Sequence, residues 1–141
     1  MALPGLSGIH HVALIVDDYA VSKRFYVEVL GLPVVRETWR AERQSWKLDL
    51  ALPDGAQLEL FTFPGAPQRP SYPEAQGLRH LALRCWDLDE AVAHLGGAGV
   101  AVEAIRTDSL TGQRFVFFAD PNGLPLELYE ESPALVAGEL A

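Results

Sequence analysis

The sequence predicts an α+β fold that contains two copies of one module, a strand followed by a helix and three further strands (βαβββ). Two observations predict this fold. Residues 8–14 recur 69 positions later as 77–83, and residues 53–61 recur 68 positions later as 121–129. In both copies, short apolar stretches bounded by turn residues surround one stretch with helix-capping signals. Self-similarity of this kind indicates a duplicated module.

The first module is expected to have one helix between its first and second strands. Asp18 is placed to cap this helix at its start, and Gly31 is placed to end it. A Pro-Asp-Gly turn signal separates the last two strands. The expected strands are 9–16, 34–38, 46–52 and 56–63.

The second module repeats this order. Asp87 and Glu90 have the spacing of a capping box ahead of a helix over 88–95. Gly96 and Gly97 are expected to end that helix. A Pro-Asn-Gly turn precedes the last strand. The expected strands are 78–86, 100–105, 114–118 and 124–129.

We expect one domain over residues 1–141. The modules would occupy 8–64 and 77–131, joined by a connector over 65–76. Closely spaced prolines in and just before this connector exclude a helix there and favour an extended chain. The last segment, 132–141, is a tail with no assigned role.

Composition excludes several classes of protein. The net charge of −8, with only two lysines, argues against a nucleic-acid partner. A single cysteine excludes an internal disulfide, and no stretch has the roughly 18 apolar residues of a membrane helix. The start of the chain has no secretory pattern. The sequence therefore predicts a soluble cytoplasmic protein that does not bind membranes.

Each module carries one histidine and one glutamate in the same relative place. His11 and Glu59 are 48 positions apart, and His80 and Glu127 are 47 apart. Each glutamate lies in a Leu-Glu-Leu segment, where an unpaired charge is costly. One such residue is more often structural, but the matched pairs favour a shared divalent metal ion with positions left for water or substrate. Zn, Ni, Co, Mn and Fe all accept these ligands.

Other polar and aromatic residues have weaker claims. His10 is expected to face away from His11 across the strand, so it is not counted as a ligand. Arg84 could meet an anionic group or form a surface salt bridge. Some aromatic residues on strands could line a pocket or belong to the core: Trp46, Phe61, Phe63 and Phe117.

At these residues the sequence resembles the vicinal oxygen chelate superfamily, and the His/Glu/His/Glu order within it is similar to glyoxalase I. The details are also similar to the small bacterial YaeR-like glyoxalase-family proteins. The resemblance covers about 8–131. The segments that carry it are HVAL at 11–14, LEL at 58–60, HLAL at 80–83, DPNG at 120–123 and LEL at 126–128.

The resemblance implies mixed sheets that curl into a metal-binding cleft, a small-molecule substrate and a homodimer, with the site built within one chain or across two. It also implies that a glutamate ligand abstracts a proton next to a carbonyl while the metal stabilises the enediolate. Glu59 and Glu127 are both candidates for this base, and Glu127 is preferred. The expected activity is that of a metal-dependent lyase or isomerase, similar to lactoylglutathione lyase, acting on a small α-oxo compound or its thiol adduct.

Two positions depart from bacterial glyoxalase I. Ile15 and Phe63 stand where that family has an arginine and an asparagine that help to hold glutathione. The glutathione clamp is therefore not carried over, and the substrate stays open. One alternative is a dioxygenase or thiol transferase of the same fold, although those relatives usually use two histidines and one glutamate. Another is a non-catalytic small-molecule-binding protein of the bleomycin-resistance type, which commonly lacks the metal set.

Overall fold

The computed structural model of the protein describes residues 2–132. The chain divides into two compact units, with the boundary between Pro67 and Gln68. Apart from Ser132, the predicted tail lies outside the described residues. Across residues 2–132, neither helix is long and apolar enough to cross a membrane. Each unit contains a mixed four-stranded sheet, which confirms the α+β fold of two βαβββ modules.

The first unit contains one sheet and one short helix. The sheet order is β1-β4-β3-β2, in which β1 runs parallel to β4 and the other neighbours are antiparallel. A single turn of 3₁₀-helix over Ala41–Arg43 joins β2 to β3. The elements are β1 (His11–Val16), α1 (Tyr19–Arg24), β2 (Val34–Arg40), β3 (Ser45–Ala51) and β4 (Gln57–Thr62).

Local hydrogen bonds set the ends of α1. The Asp18 carboxylate accepts a hydrogen bond of 3.1 Å from the backbone N–H of Val21, which confirms the predicted cap. After α1 the chain widens into a π-helical turn over Phe25–Val29, in which the Leu30 N–H donates to the Phe25 carbonyl. Gly31 then has a φ of +73°, which ends the turn as predicted.

Alternation along the strands separates a buried face from a polar one. Leu14 and Val16 in β1 are buried, whereas the intervening Ile15 is 59% exposed. The same alternation in β4 buries Leu58 and Leu60 on the face opposite Glu59. The sheet therefore turns its leucines toward the core and its candidate functional residues the other way.

The second unit repeats the order of the first. Its sheet order is β5-β8-β7-β6, with β5 parallel to β8 and the other neighbours antiparallel. Asp87 caps the helix by accepting a hydrogen bond from the Glu90 N–H, as predicted. The elements are β5 (Leu81–Cys85), α2 (Leu88–Gly97), β6 (Arg106–Thr107), β7 (Arg114–Ala119) and β8 (Pro125–Glu130).

Two elements of the second unit differ from the prediction. The helix is two residues longer than the predicted 88–95, because Gly96 and Gly97 are its last two residues. The chain then leaves the helix at Gly99, which has a φ of +80°. The backbone N–H of Val100 donates a hydrogen bond to the Leu95 carbonyl, and this bond completes a Schellman motif. The predicted strand over 100–105 is a single bridge at Val102 followed by the two-residue β6.

A charged cluster fastens α2 to the sheet. Glu130 in β8 accepts hydrogen bonds of 2.9 Å from Arg114 and of 3.0 Å from the Leu88 N–H at the start of α2. Arg114 also donates to Asp89 in the first turn of the helix. The hydrogen bond from Arg114 lowers the pKa of Glu130 below its usual value, with the Leu88 N–H acting in the same direction.

Replacing Glu130 tests this cluster. Because its pKa is lowered in the folded protein, Glu130 stabilises the fold above about pH 4.5, and this contribution is lost as the pH falls toward its folded value. We expect Glu130→Gln to lower the free energy of unfolding at pH 7 by about 1–2 kcal/mol, with a smaller difference from wild type at pH 3.5.

Urea denaturation at the two pH values measures both effects. Glu131→Gln is the matched control, because Glu131 forms an exposed ion pair with Arg84 and its loss should change the free energy by less than about 0.5 kcal/mol. An equal effect of the two substitutions would contradict the role of Glu130.

Candidate functional site

The first unit brings His11 and Glu59 together. The parallel pairing of β1 with β4 places His11 beside Gln57 and Ala13 beside Glu59, so both side chains lie on the polar face. His11 Nδ1 is 3.4 Å from Glu59 Oε2. The glutamate side chain is 12% exposed and the histidine 42%, so the pair is open on the histidine side.

The second unit brings His80 and Glu127 together in the same way. His80 immediately precedes β5, which runs parallel to β8 with Ala82 beside Glu127. His80 Nε2 is 3.2 Å from Glu127 Oε1, and the side chains are 25% and 12% exposed. The four predicted site residues therefore form two His–Glu pairs, one in each unit.

Each pair has the spacing of two ligands on one cation. Metal bonds of about 2.1 Å that meet at a tetrahedral or right angle separate their donor atoms by about 3.0–3.4 Å. The observed separations of 3.4 and 3.2 Å fit this value. Among residues 2–132, no group of three or more His, Cys, Asp or Glu side chains is placed to hold a metal ion. Each His–Glu pair thus offers two of the donor atoms that would bind a divalent ion.

The surroundings of the two glutamates differ. Asp49 in β3 pairs with Glu59 in β4, and Lys47 Nζ lies 3.3 Å from Asp49 Oδ1 and 3.8 Å from Glu59 Oε1. Asp49 is only 5% exposed, and its Oδ1 makes no hydrogen bond within the described chain. At the corresponding position in the second unit, Phe117 in β7 pairs with Glu127. Glu59 therefore has charged neighbours and Glu127 an aromatic one.

The two residues that precede the histidines also contact them. His10 Nδ1 lies 2.9 Å from His11 Nδ1, so the expectation that His10 faces away from His11 is wrong. The reason is that β1 begins only at His11, and strand alternation does not extend to His10. Arg79 Nη1 lies 3.3 Å from His80 Nδ1. Each of the two histidines thus contacts the polar side chain of the residue before it.

The aromatic candidates have different positions. Trp46 stacks on Tyr19 with ring centroids 4.9 Å apart, and Phe61 stacks on Phe63 at 6.1 Å. Phe117 instead packs edge-to-face against His80 at 5.1 Å, so it lies beside a candidate ligand.

Arg84, the predicted candidate for an anionic group, is engaged elsewhere. Its Nε lies 3.1 Å from Glu131 Oε2 in an exposed ion pair. This is the surface salt bridge that the sequence left as the alternative.

A cavity of about 200 Å³ opens beside His80 in the second unit. Phe117 and Arg106 line it, together with residues of the proline-rich segment such as Tyr72. Sequence reasoning missed Arg106, because a lone arginine in a polar stretch resembles any solvated surface charge. It also missed Asp49, although its Leu-Asp-Leu setting carries the same signal as Leu-Glu-Leu.

The fold and sequence of the chain have counterparts among known proteins. Residues 8–128 match the family model of the Glyoxalase/Bleomycin resistance protein/Dioxygenase superfamily. The chain belongs to this superfamily. Its solved members include the fosfomycin resistance protein FosX from Listeria monocytogenes and glyoxalase I from Zea mays, each 17% identical to this chain, a likeness that concerns the fold.

Other relatives are more similar to this chain and match it over most of its length. The uncharacterized protein YaeR of Escherichia coli (strain K12) is 56% identical over 127 residues, which are 90% of this chain and 98% of YaeR. A 2-epi-5-epi-valiolone epimerase from Actinomyces sp is 33% identical in an alignment that covers 89% of this chain and 80% of the enzyme. The crystal structure of a glyoxalase family protein from Enterococcus faecalis is 49% identical, with a TM-score of 0.82 over 87% of this chain and 97% of its own.

The contact between Arg79 and His80 predicts the tautomer of His80. An arginine side chain only donates hydrogen bonds, so His80 Nδ1 must accept, and Nε2 carries the proton that faces Glu127. We expect the Nε2–H form to dominate in protein treated with a chelator. Long-range nitrogen–proton NMR spectra of the imidazoles at pH 8 would show it.

Arg79→Met removes the donor and should raise the proportion of the Nδ1–H form, whereas Arg84→Met should leave His80 unchanged. A dominant Nδ1–H form in the wild-type protein would contradict this geometry.

Proposed function

We propose that the protein is a metal-dependent lyase or isomerase of the glyoxalase type, which removes a proton next to the carbonyl of a small α-oxo compound or its thiol adduct. The observation that carries the proposal is the His–Glu pair in each unit, with donor atoms 3.4 and 3.2 Å apart. Membership of the superfamily supports it, since members commonly use a divalent metal ion.

The ligands of the ion would be His11, Glu59, His80 and Glu127. This set requires a first-unit pair to meet a second-unit pair, either within one chain or across two copies of a homodimer. When bound, the ion would polarise the substrate carbonyl and stabilise negative charge on its oxygen. Zn, Ni, Co, Mn and Fe are all compatible with the donors.

Glu127 is the preferred base. Its partner His80 lines the cavity, which is large enough for a small molecule, so a substrate there would be within reach of the Glu127 carboxylate. The ring of Phe117 lies on one side of His80 and keeps water from that side. Glu59, by contrast, shares its surroundings with Lys47 and Asp49. Glu127 would take the proton at Oε2, the carboxylate oxygen that does not face His80, and return it to the neighbouring carbon.

Epimerisation is a second candidate reaction. The observation that favours it is the 33% identity to an enzyme named as an epimerase. Inversion of a carbon next to a carbonyl needs the same removal of a proton, followed by its return to the opposite face. A substrate panel that includes chiral α-substituted ketones would separate inversion of a stereocentre from isomerisation.

Two other functions remain as alternative outcomes. A dioxygenase of this fold would consume oxygen when loaded with Fe, and a thiol transferase would consume a thiol. A non-catalytic binding protein of the bleomycin-resistance type would need no metal.

Metal uptake tests the ligand set. We expect chelator-treated protein to bind a divalent ion, and His11→Ala or His80→Ala to weaken that binding at least about tenfold, because each removes one donor of a pair. Calorimetric titration with Zn, Ni, Co, Mn and Fe in turn measures the affinity. His94→Ala is the control, since His94 is exposed on α2. Failure of the wild-type protein to bind any of the five metals would exclude the proposed enzyme and the dioxygenase together.

Replacement of Glu127 tests its role as the base. We expect Glu127→Gln to lower turnover by about 10²- to 10⁴-fold, because an amide cannot accept the substrate proton. Its oxygen can still act as a ligand, so much of the bound metal should remain.

The substrate panel would start with the methylglyoxal–glutathione adduct and small α-oxo acids, on protein loaded in turn with Zn, Ni, Mn and Fe. Metal content and turnover are measured on the same samples, with Glu131→Gln as the control. Unchanged turnover in Glu127→Gln, with a loss in Glu59→Gln, would transfer the role to Glu59.

A further inference from the structure

The cavity beside His80 carries an excess of positive charge, although the whole chain has a net charge of −8. Three arginines line it, against two glutamates, Glu74 and Glu103. With a neutral imidazole, the lining has a surplus of one positive charge. A small site of this sign in an acidic protein favours an anionic ligand.

Two of the three arginines are already engaged. Arg69 donates through Nε to the Ser71 hydroxyl at 2.8 Å and through Nη2 to the Leu78 carbonyl at 2.9 Å. Arg79 donates through Nε to Glu74 at 3.1 Å and faces His80 through Nη1. Arg69 thus joins the proline-rich segment to the backbone just before His80, and Arg79 is shared between a carboxylate and an imidazole.

The third arginine, Arg106, is held by weaker contacts than the other two. Its guanidinium lies 5.1 Å from the ring centroid of Phe115 and 5.6 Å from that of Phe117, distances at which aromatic faces attract a cation. Its charged contact, with Glu103 at 3.8 Å, joins two side chains that are both more than half exposed. Such a pair is worth little and yields readily to a competing carboxylate. The contacts of its guanidinium within residues 2–132 are this ion pair and the two aromatic rings.

Phe117 places Arg106 next to the candidate reaction centre. The same ring contacts His80 edge-to-face and Arg106 through the cation–π interaction. Both polar groups also line one cavity. A ligand group held by Arg106 would therefore lie within a small molecule's length of the His80–Glu127 pair.

We propose that Arg106 binds the carboxylate of the substrate, so that the substrate class of this site is a small α-oxo acid. The fork of an arginine matches a carboxylate in a bidentate geometry. The surplus of one positive charge suits a monoanion better than a dianionic phosphate, which the two glutamates would repel. A cavity of about 200 Å³ is below the usual range of about 300–1,000 Å³ for larger ligands, so a glutathione adduct would not fit inside it.

The α-oxo chemistry in this inference rests on the proposed function, whereas the carboxylate site can be tested without turnover. Three probes serve: pyruvate, its nearly isosteric neutral amide pyruvamide, and acetylphosphonate, in which a tetrahedral phosphonate replaces the carboxylate. Each is titrated into chelator-treated protein and into metal-loaded protein, and binding is followed through the backbone amide signals of the cavity residues Tyr72 and Phe117 in proton–nitrogen NMR spectra, which the wild-type protein and every variant share. The variants are Arg106→Gln, Arg106→Lys and the control Arg84→Gln, which alters an arginine outside the cavity.

We expect pyruvate to bind wild-type protein at least about tenfold more tightly than pyruvamide. Arg106→Gln should weaken pyruvate binding by about 10- to 100-fold and remove this preference, while Arg106→Lys, which keeps the charge but loses the fork, should have an intermediate effect. Arg84→Gln should bind as wild type does. Circular dichroism of each variant verifies that it is folded.

Equal binding of pyruvate and pyruvamide, or an unchanged affinity in Arg106→Gln, would overturn the proposal. Tighter binding of acetylphosphonate than of pyruvate would overturn the choice of a carboxylate. Because the chelator-treated arm needs neither metal nor turnover, a failure of the proposed reaction would leave the preference for pyruvate intact.

Discussion

The structure of each unit depends on a carboxylate placed on an inner strand of a four-stranded sheet. Glu59 in β4 and Glu127 in β8 have strands on both sides, so neither can reach solvent around a sheet edge. A charge in that position must be compensated by side chains from the neighbouring strands. The histidine comes from the parallel neighbour, and a parallel neighbour can be reached only through a long crossover. The helix and two strands between His11 and Glu59 supply this connection, so the module topology and the His–Glu pair have the same cause.

The features that could be predicted from the sequence are those that depend on local contacts or recur in both modules. The caps at Asp18 and Asp87 were predictable because they depend on local hydrogen bonds, and the His–Glu pairs were predictable because the modules repeat. The partners opposite the glutamates were also within reach, since a hairpin centred on Asp54 pairs Asp49 with Glu59. By contrast, the strand expected over 100–105 resembles any β-rich edge in composition. Whether an edge segment pairs over its whole length depends on its single neighbour, which composition does not report.

The two modules differ on the strand next to their repeated Leu-Glu-Leu segments. The position beside Glu59 holds Asp49, with Lys47 close to both carboxylates, whereas the position beside Glu127 holds Phe117. One glutamate is thus surrounded by charges, and the other by an aromatic ring that also contacts His80. Under the proposed function, the two glutamates would serve different roles, one mainly in metal binding and one in proton transfer. The difference in surroundings arises from residues on the adjacent strand, while the His–Glu pair itself is the same in both units.

Arg69 shows what the segment between the modules contributes. Its side chain donates to the carbonyls of Leu78 and Arg79, and so fixes the backbone immediately before His80. One wall of the cavity beside His80 is built from that connector. A substitution in the connector can therefore reshape the cavity while both sheets, and the histidines and glutamates that they position, stay the same.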